Sequence, residues 1–130
     1  MRRARKVFFG VGYQNVEALP EDAVRAYLEP LVGTPQAARD FQRWIASLHN
    51  RDLIAVEDKL KRLAVPTLVV WGTGDIFFRV RWAYRLRDTI PGVTEVVEIE
   101  GARLLFPDEG AADLIPHLRR HWAAHAPGGP

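Results

Sequence analysis

Asp75 is the residue whose sequence context best suits it for chemistry. It follows residues 67–71, an apolar and β-branched run typical of a parallel strand that is buried on both faces. Ligands collect at the carboxyl ends of strands in open α/β sheets. A carboxylate there could orient a histidine and stabilise its imidazolium, as the acid of a catalytic triad does. Alternatively, Asp75 only accepts hydrogen bonds from backbone groups of its own turn.

The chain offers few other groups for catalysis. Its one serine, Ser47, lies in a helical context and lacks the glycines that flank a nucleophile on a strained elbow. The absence of cysteine excludes disulfides and thiolate chemistry. His117, His121 and His125 recur at four-residue intervals, a spacing that zinc sites use, but no H-E-x-x-H motif accompanies them and a solvated helix face is commoner. We therefore assign no metal and no cofactor.

Composition indicates one ordinary globular unit. The chain has 130 residues, of which 48% are hydrophobic and 26% charged, and its formal net charge is only +2. Such a charge does not favour nucleic acid as a partner. The apolar run at residues 7–12 is too short and glycine-broken for a membrane span or signal peptide. We expect a soluble protein. The lack of cysteine does not indicate a redox compartment, so we take the cytoplasm as the default location.

The first half of the chain carries three helical patterns. The first begins near residue 20 at a proline followed by two acidic residues, and Pro30 and Gly33 are expected to end it. Thr34 can cap the second helix. The apolar stripe of this second helix, which must pack against another part of the structure, comprises Ala38, Phe41, Trp44, Ile45 and Leu48. A third helix is expected to end before Pro66.

The pattern changes after Pro66 to alternating strands and helices. The expected elements are a strand at residues 67–71, a helix at 79–90, a strand at 94–99, a loop at 101–107 and a helix at 109–124. Pro116 favours a kink in the last helix. This order predicts an α/β fold whose two strands are parallel and joined by a right-handed crossover.

Two strands are too few for a sheet that is buried on both faces. Residues 7–11 could add only a short third strand, so the outer edges are expected to lack partners. We expect the chain either to be part of a larger domain, which we favour, or to recruit strands from another copy.

From about residue 19 to residue 122 the chain resembles the C-terminal half of an α/β-hydrolase, in the branch of haloalkane dehalogenases and epoxide hydrolases. The main match is Leu-Ala-Val-Pro-Thr-Leu-Val-Val-Trp-Gly-Thr-Gly-Asp at residues 63–75. Ile-Pro-Gly at residues 90–92 and Val-Glu-Ile-Glu-Gly-Ala at residues 97–102 support it.

The resemblance implies a partial α/β-hydrolase fold in three segments. Residues 1–63 would be a cap-like helical segment and residues 64–126 the C-terminal β-α-β-α part of the core. The third segment, residues 127–130, is expected to be a flexible tail because it has no periodicity. It also implies hydrolysis of small organic substrates, with Asp75 as the catalytic acid.

Two parts of that family's machinery are missing from the sequence. No nucleophile elbow is present, and the loop after the last strand has Gly-Ala-Arg-Leu at residues 101–104 where the family has a histidine. Relatives of this branch share an Arg-Leu-Phe-Phe-Pro type of loop, to which residues 103–107 are similar. Arg103 could bind an anion or pair with Asp75 or Glu100, although an ordinary surface ion pair is the simpler role.

Three functions remain open on the sequence alone. The first is a hydrolase portion that is inactive by itself and acts on a small-molecule substrate once completed. The second is a non-enzymatic interaction module that completes its sheet with a second copy, forming a homo-oligomer, or with a chain carrying the N-terminal half. The third is a small ligand-binding domain with its pocket at Asp75. None of the three involves nucleic acid or a membrane.

Overall fold

The computed structural model describes residues 9–126, which form a mixed α/β structure around a parallel sheet of two strands. The elements are α1 (Glu21–Val32), α2 (Pro35–Ser47), α3 (Asn50–Ile54), α4 (Glu57–Leu60), β1 (Thr67–Gly72), α5 (Arg81–Thr89), β2 (Val93–Ile99), α6 (Phe106–Glu109) and α7 (Ala111–His125). A short 3-10 turn, Val16–Ala18, precedes them. No helix among the described residues combines the length and the apolar character needed to cross a membrane.

The first two helices follow their sequence signals, with one exception. The Thr34 hydroxyl accepts a hydrogen bond from the backbone N–H of Ala37 at 3.1 Å, so the predicted cap is confirmed. Pro30 does not end α1, which continues to Val32 and closes where Gly33 N–H donates to Glu29 O at 2.9 Å. Because Pro30 lies in the last turn, its missing N–H removes a bond only near the end of the helix.

The third predicted helix is divided into α3 and α4. The division falls at residues 55–56, and α4 then begins with Glu57 and Asp58, whose negative charges favour a new helix start. The segment stops before Pro66, as predicted. Its last bonds are of the tighter 3-10 kind, from Arg62 N–H to Lys59 O and from Leu63 N–H to Leu60 O.

The two strands pair in parallel, which confirms the predicted arrangement. Val69 lies opposite Val96, and Trp71 lies opposite Glu98. The ladder closes at its ends with Thr67 N–H donating to Gly92 O at 2.8 Å and Thr73 N–H donating to Ile99 O at 3.0 Å. The connecting helix α5 contacts both strands.

Burial of β1 is weaker than its sequence predicts. Only Val69 and Gly72 are fully buried, and the other four residues of the strand are half-buried. The expected third strand at residues 7–11 is absent from its described part, residues 9–11. Gly12 and Tyr13 both donate to Phe9 O there, which makes a helical turn. Residues 7 and 8 lie outside the described part. Burial on both faces is therefore a wrong expectation for residues 9–126, where four of the six residues of β1 are only half-buried and no third strand extends the sheet.

The largest buried cluster lies beside α1 and not at the sheet. It consists of Phe9, Tyr13, Leu19, Val24 and Leu28, with Val16, Ala23 and Leu105 packed against it. Tyr13 and Val24 are its most deeply buried members. Because Leu105 comes from the segment after β2, this cluster links the start of the described chain to that segment.

The apolar stripe of α2 is left without the cover that the sequence predicts. Trp44 is 56% exposed, and Ile45 and Leu48 are similarly open to solvent. The helix contacts α1, but none of its own residues is fully buried. An apolar stripe of this width is typical of a surface that packs against another partner.

The cluster beside α1 yields a stability prediction with a matched control on the same helix. Val24→Ala should lower the free energy of unfolding by about 2 kcal/mol, since the side chain is fully buried and its loss leaves a cavity. Val32→Ala, at a valine that is 41% exposed, should change it by less than about 0.5 kcal/mol. Urea unfolding of the two variants measures both values, and equal losses would contradict the position of this core.

Candidate functional site

Asp75 is the one carboxylate that is fully buried among the described residues. It is 8% exposed and follows β1 at the carboxyl end of the strand, as predicted. Its Oδ1 accepts hydrogen bonds from the backbone N–H groups of Phe77 at 2.8 Å and Phe78 at 3.0 Å. Within residues 9–126, Oδ2 accepts no hydrogen bond. One oxygen thus holds the turn, and the other remains available.

Two glycines allow the loops after β1 and β2 to touch. A Cβ on Gly72 would lie 2.3 Å from Ala102 O, and one on Gly74 would lie 2.5 Å from Gly101 O, so neither position has room for a side chain. Gly74 N–H donates to Ala102 O at 2.9 Å. In return, the Thr73 hydroxyl accepts from Gly101 N–H at 2.8 Å. These bonds fix the turn that carries Asp75 against the loop after β2.

Asp75 lines two cavities. The larger, of about 430 Å³, is bounded by the turn itself and the start of the α5 segment, with Arg79 as its cation. The smaller, of about 150 Å³, lies between β1 and the loop after β2, with Arg103, Leu104 and Phe106 in its wall. Neither cavity has a serine, histidine or cysteine among its lining residues. The described residues therefore bring no histidine, serine or cysteine to Asp75, and the one hydroxyl in the lining, that of Thr73, accepts a hydrogen bond from Gly101 N–H.

Arg103 takes a role that the sequence did not predict. Its guanidinium donates to the backbone carbonyls of Tyr13 at 3.2 Å and Gly10 at 3.4 Å. Among the ion pairs of the described residues, none joins Arg103 to Asp75 or Glu100. The expected surface ion pair is wrong within residues 9–126, where the guanidinium donates instead to carbonyls of a segment that is remote in sequence.

The segment after β2 makes further hydrogen bonds to residues 10–15. Leu105 N–H donates to Gly12 O at 2.8 Å, and the Tyr13 hydroxyl donates to Asp108 Oδ2 at 2.5 Å. The carboxylate of Glu109 accepts from the backbone N–H groups of residues 14 and 15 at 2.7 and 2.6 Å. The loop after β2, where the resemblance led us to look for a histidine, therefore links to the start of the described chain.

Burial beside Asp108 perturbs Tyr13. Desolvation is the largest cause that raises the pKa of the Tyr13 phenol, and the hydrogen bond to the Asp108 carboxylate and its negative charge add to it. Tyr27 also contacts this carboxylate, at 3.4 Å, and raises the pKa of Tyr13 further. The phenol therefore keeps its proton in the folded chain under conditions in which an exposed tyrosine loses it.

The other candidate groups lie away from Asp75. The Ser47 hydroxyl donates to Trp44 O at 2.7 Å at the end of α2 and is exposed. On α7, His117 Nδ1 lies 3.1 Å from the Arg120 guanidinium, and His125 Nδ1 lies 2.9 Å from His121 O. Residues 9–126 contain no cluster of histidine and acidic groups that could hold a metal ion.

A separate apolar cavity of about 810 Å³ lies beside α5. It is lined on one side by α3 and α4 and on the other by aromatic side chains of β1, its following turn and α5: Trp71, Phe77, Phe78 and Trp82. Some polar groups of these walls are paired: Trp71 Nε1–H donates to Phe78 O at 2.6 Å, and Arg85 lies 3.9 Å from Glu57. Sequence reasoning missed this cavity because its walls meet only in the folded chain.

Two variants of Asp75 separate its turn contacts from its charge. Asp75→Ala leaves two backbone N–H groups without their acceptor and should lower the free energy of unfolding by about 1–3 kcal/mol. Asp75→Asn keeps an oxygen in the same place and should lower it by less than about 1 kcal/mol. Equal losses in urea unfolding would show that the charge, and not the backbone bonds, stabilises the turn.

Stability should fall at high pH because of Tyr13. The folded-state pKa of Tyr13 lies above the ordinary value of 10.0, so its contribution to stability is present below about pH 10 and is lost as pH rises further. Tyr13→Phe should weaken the decline in unfolding free energy above that pH, and also cost about 1 kcal/mol at neutral pH through the lost hydrogen bond. An unchanged decline in urea unfolding across this pH range would contradict the assignment.

No protein-family model matches this chain, and no curated protein matches its sequence. The structure supports a mixed α/β fold with a two-stranded parallel sheet. Within it, a buried carboxylate with one free oxygen stands at the carboxyl end of β1.

Proposed function

We propose that residues 64–126 are the acid-bearing C-terminal part of an α/β-hydrolase-like domain of the haloalkane dehalogenase and epoxide hydrolase branch. By this lineage the complete domain hydrolyses small organic substrates. The observation that carries the proposal is Asp75, a buried carboxylate at the carboxyl end of a parallel strand with Oδ2 free. The fixed turn around it supports a role as a positioning acid.

In that role Asp75 would act on a histidine and not on substrate. Its free Oδ2 would accept the Nδ1–H of an imidazole, hold the ring in one tautomer and stabilise the imidazolium that forms when the ring takes a proton from a nucleophile. Oδ1 would stay with the turn, so that orientation costs no rearrangement. The 150 Å³ cavity beside β1 is the space next to the carboxylate that an imidazole could enter.

Within residues 9–126, no histidine, serine or cysteine lines the cavities at Asp75 to complete this chemistry. The position of the family's histidine is filled by Arg103 and Leu104, and Arg103 is engaged with backbone carbonyls. Ser47 lies on α2 without an elbow and lines neither cavity of Asp75. We therefore propose that the 130-residue chain is inactive alone, and that strands and groups beyond the described residues complete the sheet and the site.

A hydrolysis assay tests this proposal. The purified chain should not turn over p-nitrophenyl esters, epoxides or haloalkanes above the rate of the Asp75→Asn variant, because the acid has no histidine or nucleophile to serve. Ser47→Ala, matched in size, should also be without effect. Hydrolysis of any of these substrates that Asp75→Asn abolishes would contradict the claim that the chain is inactive alone.

Assembly is the second candidate function, and the open sheet favours it. Both strands have an outer edge without a partner among the described residues, and apolar side chains next to them are exposed, including Phe77, Phe78 and Trp82. Unpaired edges of this kind accept strands from other chains. In this case the chain is a non-enzymatic module that completes its sheet by association.

A further inference from the structure

The two edges of the sheet differ, and the difference identifies an interaction surface. We infer that two copies of this chain pair their β1 strands in antiparallel orientation, about a two-fold axis at Val70. The inference rests on the second candidate function and names its partner. It joins two sheets of two strands into one sheet of four.

The backbone groups of β1 alternate between its two sides. Thr67 and Thr73 donate to β2. In a parallel ladder every second residue has this orientation, so Val69 and Trp71 also donate to β2. The N–H and C=O groups of Leu68 and Val70 therefore point away from β2. None of these four groups has a hydrogen-bond partner within residues 9–126. Unpaired backbone groups on a half-buried strand favour an added strand.

The outer edge of β2 is protected, unlike that of β1. Glu95 accepts from the Arg120 guanidinium at 2.6 Å, and Glu98 accepts from the Tyr84 hydroxyl. Charged side chains along an edge strand discourage pairing with another strand. β1 carries no charged residue from Thr67 to Gly72. The open edge of the sheet is thus the β1 edge.

The occupant of that edge must be apolar on both faces. Side chains alternate along β1, and the surfaces next to it are largely apolar, with Leu104 and Phe106 in one adjoining cavity and Trp82 in another. The charged groups of these cavities are Asp75 and Arg103 in the first and Glu57 and Arg85 in the second. The residues of this chain outside the described part do not fit by composition, since residues 1–8 include four basic residues and residues 127–130 are two prolines and two glycines. β1 itself has the required composition.

A second copy also matches the backbone groups of β1 that point away from β2. With the two-fold axis at Val70, the Val70 groups of the two copies bond each other, and Leu68 faces Gly72 of the second copy. Each pair then consists of residues whose N–H points outward, as an antiparallel ladder requires. The contact is isologous, so it closes as a dimer and does not propagate.

Cysteine cross-linking tests the register, and the cysteine-free chain gives a clean background. Val70→Cys should form a disulfide-linked dimer under mild oxidation, because residues directly opposite in a hydrogen-bonded antiparallel pair have Cα atoms about 5.5 Å apart, within the range of disulfides. The matched control is Val96→Cys on the outer edge of β2, which should stay unlinked. Equal linking of the two variants, or none at Val70→Cys, overturns the inference.

Sedimentation equilibrium tests the dimer itself. The unmodified chain should dimerise at micromolar concentration, and Val70→Pro should weaken the dimer by roughly tenfold or more, because it removes the N–H at the axis and no bond of the β1–β2 ladder. Val96→Pro on the other edge should not weaken it. If Val70→Pro fails to fold by circular dichroism, cross-linking and the unmodified chain decide.

The outcomes also separate this inference from the proposed hydrolase lineage. A chain that remains monomeric up to about 100 μM, far above a micromolar dissociation constant, overturns the dimer but leaves the Asp75 proposal to the hydrolysis assay. A dimer that is insensitive to Val70→Pro overturns the β1 edge as its location.

Discussion

The parallel pairing of β1 with β2 is the constraint on which the site depends. It places the carboxyl ends of both strands at one edge of the sheet, where the turn of Asp75 meets residues 101–102 of the loop after β2. Positions 72 and 74 accept only glycine, because the opposite backbone occupies the space that a side chain would need. Asp75 is buried as a consequence, and its turn is held from both strands. The same pairing leaves the outer edge of β1 without a partner in the described chain, so the structure that positions the carboxylate is also the structure that needs completion.

Local features of the fold were predictable from the sequence, and long-range ones were not. The Thr34 cap, the strand at β1 and the crossover through α5 follow from short stretches whose residue types have one favoured conformation. Pro30 misled because a proline in the last turn of a helix costs little. The burial of β1 was wrong for a different reason. An apolar run indicates that a strand is suited to packing against other apolar elements, but it does not show that the described residues include those elements.

For the site, the sequence located Asp75 but not its surroundings. Its position after an apolar strand has a local signature in the sequence. The hydrogen bonds that it accepts from Phe77 and Phe78 also fit the alternative role, an aspartate that stabilises its own turn. Both descriptions hold, since they use different oxygens. The links of Arg103 and Glu109 to residues 10–15 join positions about ninety residues apart, and no spacing rule connects them. A long-range signal of that kind is absent from a single sequence.

Amide hydrogen exchange along β1 tests most directly whether its outer edge is open. In a solution dilute enough for the chain to sediment as a monomer, the amides of Val69 and Trp71 should exchange slowly because they donate to β2. Those of Leu68 and Val70 should exchange rapidly because they point away from it. This alternation is the result that the account predicts. Equal protection of all four amides in the monomer would contradict it, since another segment of the same chain would then cover the edge.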